Sequence, residues 1–386
     1  MVKNILANYR FSKSLLLLFT NRIFHLVGVG LMGLFLPIFL FEKFNYQYIP
    51  VFLFFIVSFA ITVFVIPLGA MIMSRISLKR SMIIATFFLI MFYLCFFVYE
   101  TYPSFSLIII ALITSNIWRM LYWVPFHTDF VKFSSNKRRG QQYSILMIIS
   151  DFLGILVPVA AGLILNYFNY STLFIIVVVI VLASIIPLFK LQKNNEKFAY
   201  SYIQTYKELL SKKNRKIFLA YVADGAETII GSIIWPIFIF VVLQQEYLAV
   251  GAVSALIIGM TVILDLIIGR WSDKFNKKHI IKYSSIFYAV GWIVKMFVVT
   301  ASQIFIVSTY HNLTAIFRRI PFDVLMYEKA ADSGHYVDEY TVLREISLCL
   351  GRVLMLSVVS ILIFYFGIYI AFILAAIISL FINVIE

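Results

Sequence analysis

Asp224 and Glu227 lie three residues apart inside an apolar run, where ionisable groups are rare. On a helix that spacing puts both carboxylates on one face. A carboxylate kept from bulk water can load and release a proton, and a nearby guanidinium competes with the proton for it. Arg119, Arg318 and Arg352 lie in other apolar runs and are the candidate competitors. His25 shares a helix face with Asn21 and Arg22 and titrates in the useful range, so it joins Asp224 and Glu227 as a proton-coupling candidate. Asn116, Arg119 and Trp123 follow i, i+3, i+7 spacing and project from one side of their helix. His311 and Arg318 share a further apolar run, and Trp235 could stack on a solute. Arg22, Arg119, Arg318, His25 and His311 outnumber the two acids, which favours an anionic or zwitterionic solute gripped by paired Arg hydrogen bonds. Ion pairs that merely tie helices together are the other reading of the same residues.

Charges inside a bilayer are expensive, so they normally face an aqueous cavity or one another. That the setting is a bilayer follows from composition. The 386 residues are 62% hydrophobic and 13% charged, well outside the range of soluble domains. Runs long enough to cross the hydrocarbon core are expected at 15–41, 48–73, 81–99, 105–130, 141–167 and 171–190. A second set is expected at 217–243, 247–270, 280–300, 303–327, 340–366 and 367–385. The organisation that results is a six-helix unit over 1–190, a basic linker over 191–216 and a second six-helix unit over 217–386. The apolar and aromatic spacing from Phe198 to Leu210 predicts a surface-lying helix within the linker.

The net charge of +14 does not point to nucleic acid, because its placement is one-sided. Most Lys and Arg fall in loops on one face; only Lys43 falls in a loop on the other, and Arg22, Arg119, Lys295, Arg318, Arg319, Arg344 and Arg352 lie within spans. Basic loops stay cytoplasmic, so both termini are expected inside the cell membrane, with the basic surface against anionic lipid. Cys95 and Cys349 lie within spans and suggest neither a disulfide nor a metal site. The start of the chain lacks a small-residue cleavage site, and no removable leader is expected there.

The stretch Gly269-Arg270-Trp271-Ser272-Asp273-Lys274-Phe275-Asn276-Lys277-Lys278 joins two apolar runs by a short basic turn. A shift of 199 residues carries it onto Ala70 to Arg80, a degraded copy with Ser74 in place of the acid and Arg75, Lys79 and Arg80 as its cations. The same shift carries Pro236 onto Pro37 and Arg318 onto Arg119, which implies two homologous halves of about six helices. The motif resembles the loop signature of the major facilitator superfamily, Gly-x-x-x-Asp-Arg-x-Gly-Arg-Lys. Asn276 stands at the second Gly, and Asn tolerates the positive φ required there.

The resemblance implies twelve transmembrane helices in two six-helix bundles related by a pseudo-twofold axis, working by alternating access. It implies that the first and fourth helices of each half line a central cavity; these carry Arg22, His25, Arg119, Asp224, Glu227, His311 and Arg318. It implies a gate in which Asp273 meets the start of the fifth helix near Arg139. The cations of the degraded copy would meet Asp338, Glu339 or Glu345, or lipid. Gly154, Pro158 and Gly162 loosely match the family's antiporter motif, with Val157 replacing a Gly. The expected function is secondary transport of a small solute, coupled to protons, by a monomer with no metal or cofactor. A multidrug–proton antiporter is the alternative of like fold. A scramblase or membrane enzyme is the alternative of another class, and the sequence has no His-Glu-x-x-His constellation and no paired Asp at fixed spacing to support one. No Gly-rich phosphate loop is present, so energy from nucleotide hydrolysis is not expected.

Overall fold

Every regular element in the computed structural model is helical among the described residues, which are 11–134, 139–195, 197–268, 277–332 and 337–381. In chain order the long helices are α1 (Lys13–Lys43), α2 (Tyr48–Ile76), α3 (Leu78–Thr101), α4 (Phe105–Phe133), α5 (Arg139–Tyr167) and α6 (Tyr170–Lys190). After the short linker helix Tyr202–Leu209 come α7 (Arg215–Val242), α8 (Tyr247–Ile268), α9 (Lys277–Lys295), α10 (Ala301–Asp332), α11 (Val337–Phe366) and α12 (Tyr369–Phe381). Among the described residues nine of these are long and apolar enough to cross a membrane, namely α1 to α8 and α11. Asp338 and Glu339, expected in a loop, instead open α11, where the helix N-terminus favours negative charge. The motif residues Gly269, Asp273 and Lys274 lie outside the described residues, and so do the side chains of Arg139, Lys277, Lys278 and Arg319.

Prolines account for the irregularities. A proline offers no N–H to the carbonyl four residues earlier. Accordingly α1 breaks at Leu34, next to the Gly33 carbonyl that Pro37 leaves unmatched. The equivalent position of α7, ahead of Pro236, is a π-helical turn over Ile230–Ile234. Where a proline lies deep in a helix, a hydroxyl from a neighbour replaces the missing donor. Ser81 donates to the Leu121 carbonyl at 2.8 Å, four residues before Pro125. Tyr206 of the linker helix donates to the Val63 carbonyl at 3.0 Å, four before Pro67, and Tyr202 donates to Phe64 at 3.2 Å. The linker is thereby fastened to α2, and the Ala199 amide ties it to Glu339 of α11 at 3.2 Å.

The pairing of helices repeats along the chain. α1 packs on α4, α5 and α6, as α7 packs on α10, α11 and α12. α4 packs on α2 and α3, as α10 packs on α8 and α9, and α3 meets α6 as α9 meets α12. Between these sets run α5 against α8, α11 against α2 and α4, and α1 against α7. Turns repeat too. Asn45 and Tyr46 hold positive φ of 54° and 60°, and Gln244 and Gln245, 199 positions on, hold 55° and 65°. The Tyr46 amide bonds to the Phe41 carbonyl and the Gln245 amide to the Phe240 carbonyl, both at 2.8 Å. Tyr46 and Gln245 also touch each other, hydroxyl to amide oxygen at 3.3 Å.

Ser77 between α2 and α3 stands where the loop signature has its second Gly, and its backbone sits at φ 87°, ψ 151°. Only glycine occupies that region without strain of about 1–3 kcal/mol, and the buried Ser77 hydroxyl has no hydrogen-bond partner among the described residues. Ser77→Gly is therefore expected to raise the melting temperature of the purified protein by roughly 2–5 °C, and Ser77→Val to lower it. A fall with Gly would show that the hydroxyl, not the backbone, matters there.

Candidate functional site

Glu227 projects from α7 just before its π turn and is 1% exposed. Both of its carboxylate oxygens are engaged. Oε2 accepts from the Arg318 guanidinium of α10 at 2.9 Å. Oε1 accepts from the Tyr288 hydroxyl at 2.6 Å and the Trp292 indole at 3.1 Å, both on α9. Arg318 lies over the Tyr288 ring, 4.0 Å from its centroid, so the cation is met by carboxylate and π-face together. His311 packs on the same two aromatics, with centroids 4.1 Å from Tyr288 and 4.6 Å from Trp292. Its fit is tight because Gly291 opposite has no side chain; a Cβ there would meet His311 Nδ1 at 2.6 Å.

This cluster forms one wall of a cavity of about 540 Å³. Glu227, Trp235, Lys295 and His311 line it from one side, and Gly30, Gly154 and Pro158 of α1 and α5 from the other. The π turn contributes Gly231 and Ser232 to the lining. Lys295 is 4% exposed, yet no carboxylate within 4 Å pairs with it among the described residues; its ammonium lies 4.1 Å from the Trp292 ring centroid and 4.7 Å from that of Trp235. Arg318 stands behind Glu227 and does not reach the cavity surface. The geometry allows one exchange: a proton on Glu227 weakens its hold on Arg318 and frees α7 from α10.

A second cavity of about 610 Å³ lies between α1 to α5 and α7 with α11. Its charges are Arg22, Arg119, Arg344 and Arg352 against Glu345, and Glu345 is paired with Arg344 at 3.3 Å. Arg22 lies on Trp123 at 4.7 Å. Arg119 donates to the Ser58 hydroxyl at 3.0 Å and sits 4.7 Å from the Phe59 ring centroid. Arg352 approaches the same ring at 5.0 Å.

Other predicted site residues lie elsewhere. His25, 1% exposed, stacks on Tyr122 at 4.1 Å and lines neither cavity. Asn116 is held inside the N-terminal helices by Thr62, whose hydroxyl donates to it at 2.6 Å. Asp224 is half-buried, lines neither cavity, and has no ion pair among the described residues. Lys79 does not reach Asp338, Glu339 or Glu345; it donates to the Phe189 and Leu191 carbonyls at 2.6 and 3.0 Å, where the end of α6 leaves carbonyls unmatched. Arg75 and Arg80 are exposed. The sequence reading missed Tyr288 and Trp292. With Lys295 they follow i, i+4, i+7 spacing, which marks a single helix face, but aromatics at that spacing also mark any packed helix.

At the Lys43 end the helices of the two sets meet closely. The Tyr247 hydroxyl donates to Glu42 at 2.6 Å, joining α8 to α1. α8 presses on α5 so closely that a Cβ on Gly251 would lie 2.4 Å from the Pro158 carbonyl oxygen.

A sequence model of the Major Facilitator Superfamily matches residues 18–317. Among solved structures, the chain is similar to one described as a POT family transporter in complex with 5-aminolevulinic acid, at 10% identity and a TM-score of 0.72. The similarity covers 96% of this chain and 94% of that one, and at such identity it is a likeness of fold. No curated protein matches the sequence.

Proposed function

The chain belongs to the major facilitator superfamily of secondary transporters, and from that membership we propose that it carries a small anionic or zwitterionic solute, coupled to protons, by alternating access. It is an integral membrane protein of a transporter family, not an enzyme family. In this reading twelve helices form two six-helix bundles, 1–190 and 217–386, joined by the linker 191–216 and related by a pseudo-twofold axis. The duplicated helix pairings and the matched turns at 45–46 and 244–245 support that arrangement. Contact between Tyr46 and Gln245, equivalent residues of the two halves, is what an axis passing near that turn would produce. The basic loops favour an orientation in the cell membrane with both termini inside, and in this reading the carrier is a monomer.

One observation carries the coupling: a buried carboxylate, Glu227, is bonded to Arg318 at the wall of a cavity shared by both halves. Protonation of Glu227 would trade its ion pair for a neutral acid and change how α7 meets α10. Asp224, one turn away, is the second carboxylate that could take part, and His25 is retained as a lesser candidate because of its depth in the N-terminal helices. The aromatic walls of the larger cavity would also suit a multidrug exporter, but its arginines repel the cationic dyes such proteins carry.

The test uses purified protein in liposomes and solutes found by a thermal-shift screen. An inward-acid or inward-alkaline pH gradient is expected to drive accumulation of a hit solute, and a protonophore to abolish it. Accumulation that ignores the protonophore and follows another ion would remove proton coupling.

A further inference from the structure

The two cavities differ in charge. The smaller carries the internally neutralised Glu227–Arg318 pair at its wall. In the larger, the only lining carboxylate, Glu345, is engaged by Arg344, while Arg119 and Arg352 have no carboxylate within 4 Å among the described residues. Arg119 spends one N–H on a neutral hydroxyl, and Arg352 makes one long contact, 3.9 Å, to the Cys349 sulfur. Each guanidinium has five N–H donors, so most donors of both remain for another partner. Two like charges brought to one phenyl ring oppose each other unless an anion lies between them. The two come from different halves, α4 and α11, and the ring between them comes from α2. A volume of about 610 Å³ is that of a small-ligand site.

We propose, building on the transport reading above, that this larger cavity is the substrate site and that its ligand is an organic anion. A carboxylate or phosphate lies between Arg119 and Arg352, and an apolar, preferably aromatic, body rests against Phe59 and the walls formed by Phe55, Phe92 and Trp118. Glu345 is already engaged, so the site offers no free acid for an ammonium, and a simple anion is preferred to a zwitterion. The bound anion bridges the halves. Without it the repulsion of Arg119 and Arg352 resists the approach of α4 to α11, so the empty carrier closes poorly and a loaded one closes well.

The experiment is binding to the purified full-length protein, followed by intrinsic tryptophan fluorescence, to which the lining residues Trp118 and Trp123 contribute, and by thermal shift. The probes are phenylphosphate and phenylacetate, with phenylacetamide as the neutral match and phenethylamine as the cationic match. The anions are expected to bind and stabilise, and the two matches to do neither. Arg119→Gln and Arg352→Gln are each expected to weaken anion binding by about tenfold or more, through lost charge-assisted hydrogen bonds. The Arg→Lys variants, which keep the charge and guard against misfolding, should weaken it less. Lys212→Gln, an exposed cation outside the cavity, should leave it unchanged. Equal binding of anion and amide, or anion binding indifferent to both arginines, overturns the proposal. So does a response to short-chain phosphatidylglycerol with none to the soluble anions, which would make the site one for lipid headgroups. Gradient-driven uptake of a zwitterionic solute, with no binding of simple anions, would also overturn it while leaving the transport reading intact. Anion binding through both arginines with no uptake under any gradient would instead sink the transport reading.

Discussion

Glu227→Met is expected to destabilise the purified protein more than Arg318→Met, and the double variant to recover most of the loss. The reason is asymmetric titration. Arg318 is 6% exposed and cannot shed its proton, so removing Glu227 leaves a buried, unneutralised cation. Breaking a buried pair in that way costs about 3–5 kcal/mol. Removing Arg318 leaves a carboxylate that can become neutral by protonation and still meet Tyr288 and Trp292. Replacing both by Met discards two charges and retains an apolar interior, which is close to neutral for stability. In thermal unfolding the Glu227→Met deficit should be roughly 5–10 °C, with a clearly smaller deficit for the other two. Equal deficits, or simple additivity in the double variant, would mean that the pair is not a closed electrostatic unit. In liposomes Glu227→Gln, which keeps the shape but cannot carry charge, should retain solute exchange and lose accumulation driven by a pH gradient. Unchanged coupling in both Glu227→Gln and Asp224→Asn would remove the proton role from these two residues.

Gly251→Leu is expected to open the end of the molecule that carries Lys43. The added Cβ would fall 2.4 Å from the Pro158 carbonyl oxygen and 3.1 Å from its carbon. Helix backbone on both sides cannot yield, so α8 must leave α5. A Cβ added at Gly162 would fall 2.8 Å from the Tyr247 carbonyl oxygen in the same seam, which shows how little slack it has. Overpacking of this kind costs about 1–3 kcal/mol, enough to shift the balance between closed and open forms about tenfold or more. A reporter cysteine at Phe35, fully buried against Tyr247, reads the result. A membrane-impermeant thiol reagent should label Phe35→Cys at least about tenfold faster in the Gly251→Leu background. Gly259→Ala is the control, because a Cβ there meets only Ile155 at 3.9 Å and labelling should stay at the parent rate. Equal acceleration by both substitutions would point to general loosening instead of a seam.

The helical, membrane-spanning class was legible in the residues because it rests on apolar run length, which is a local property. The 199-residue repeat was legible in Pro37 and Pro236, and it recurs in backbone features that composition does not encode, the paired positive-φ turns at 45–46 and 244–245. Ser77 shows the limit. The degraded loop signature marked the position, but only the backbone reveals that a serine there holds a glycine's conformation. The linker helix was expected from its periodicity, yet its anchoring by Tyr202 and Tyr206 depends on the carbonyls around Pro67, more than a hundred residues earlier in the chain.

The site divided in the same way. By itself the sequence determined which groups are ionisable and that they lie in apolar surroundings, because those are properties of each residue and its near neighbours. It did not determine who meets whom. Glu227 and Arg318 are 91 positions apart, and Arg119 and Arg352 reach one phenyl ring from opposite halves. Asp224 and His25 were also legible as ionisable groups in apolar runs, but neither lines either cavity. Only tertiary packing decides whether a buried charge finds a counter-ion or stays available for a ligand, since a charge's energy in a dry interior depends on distances of a few ångströms between helices remote in the chain.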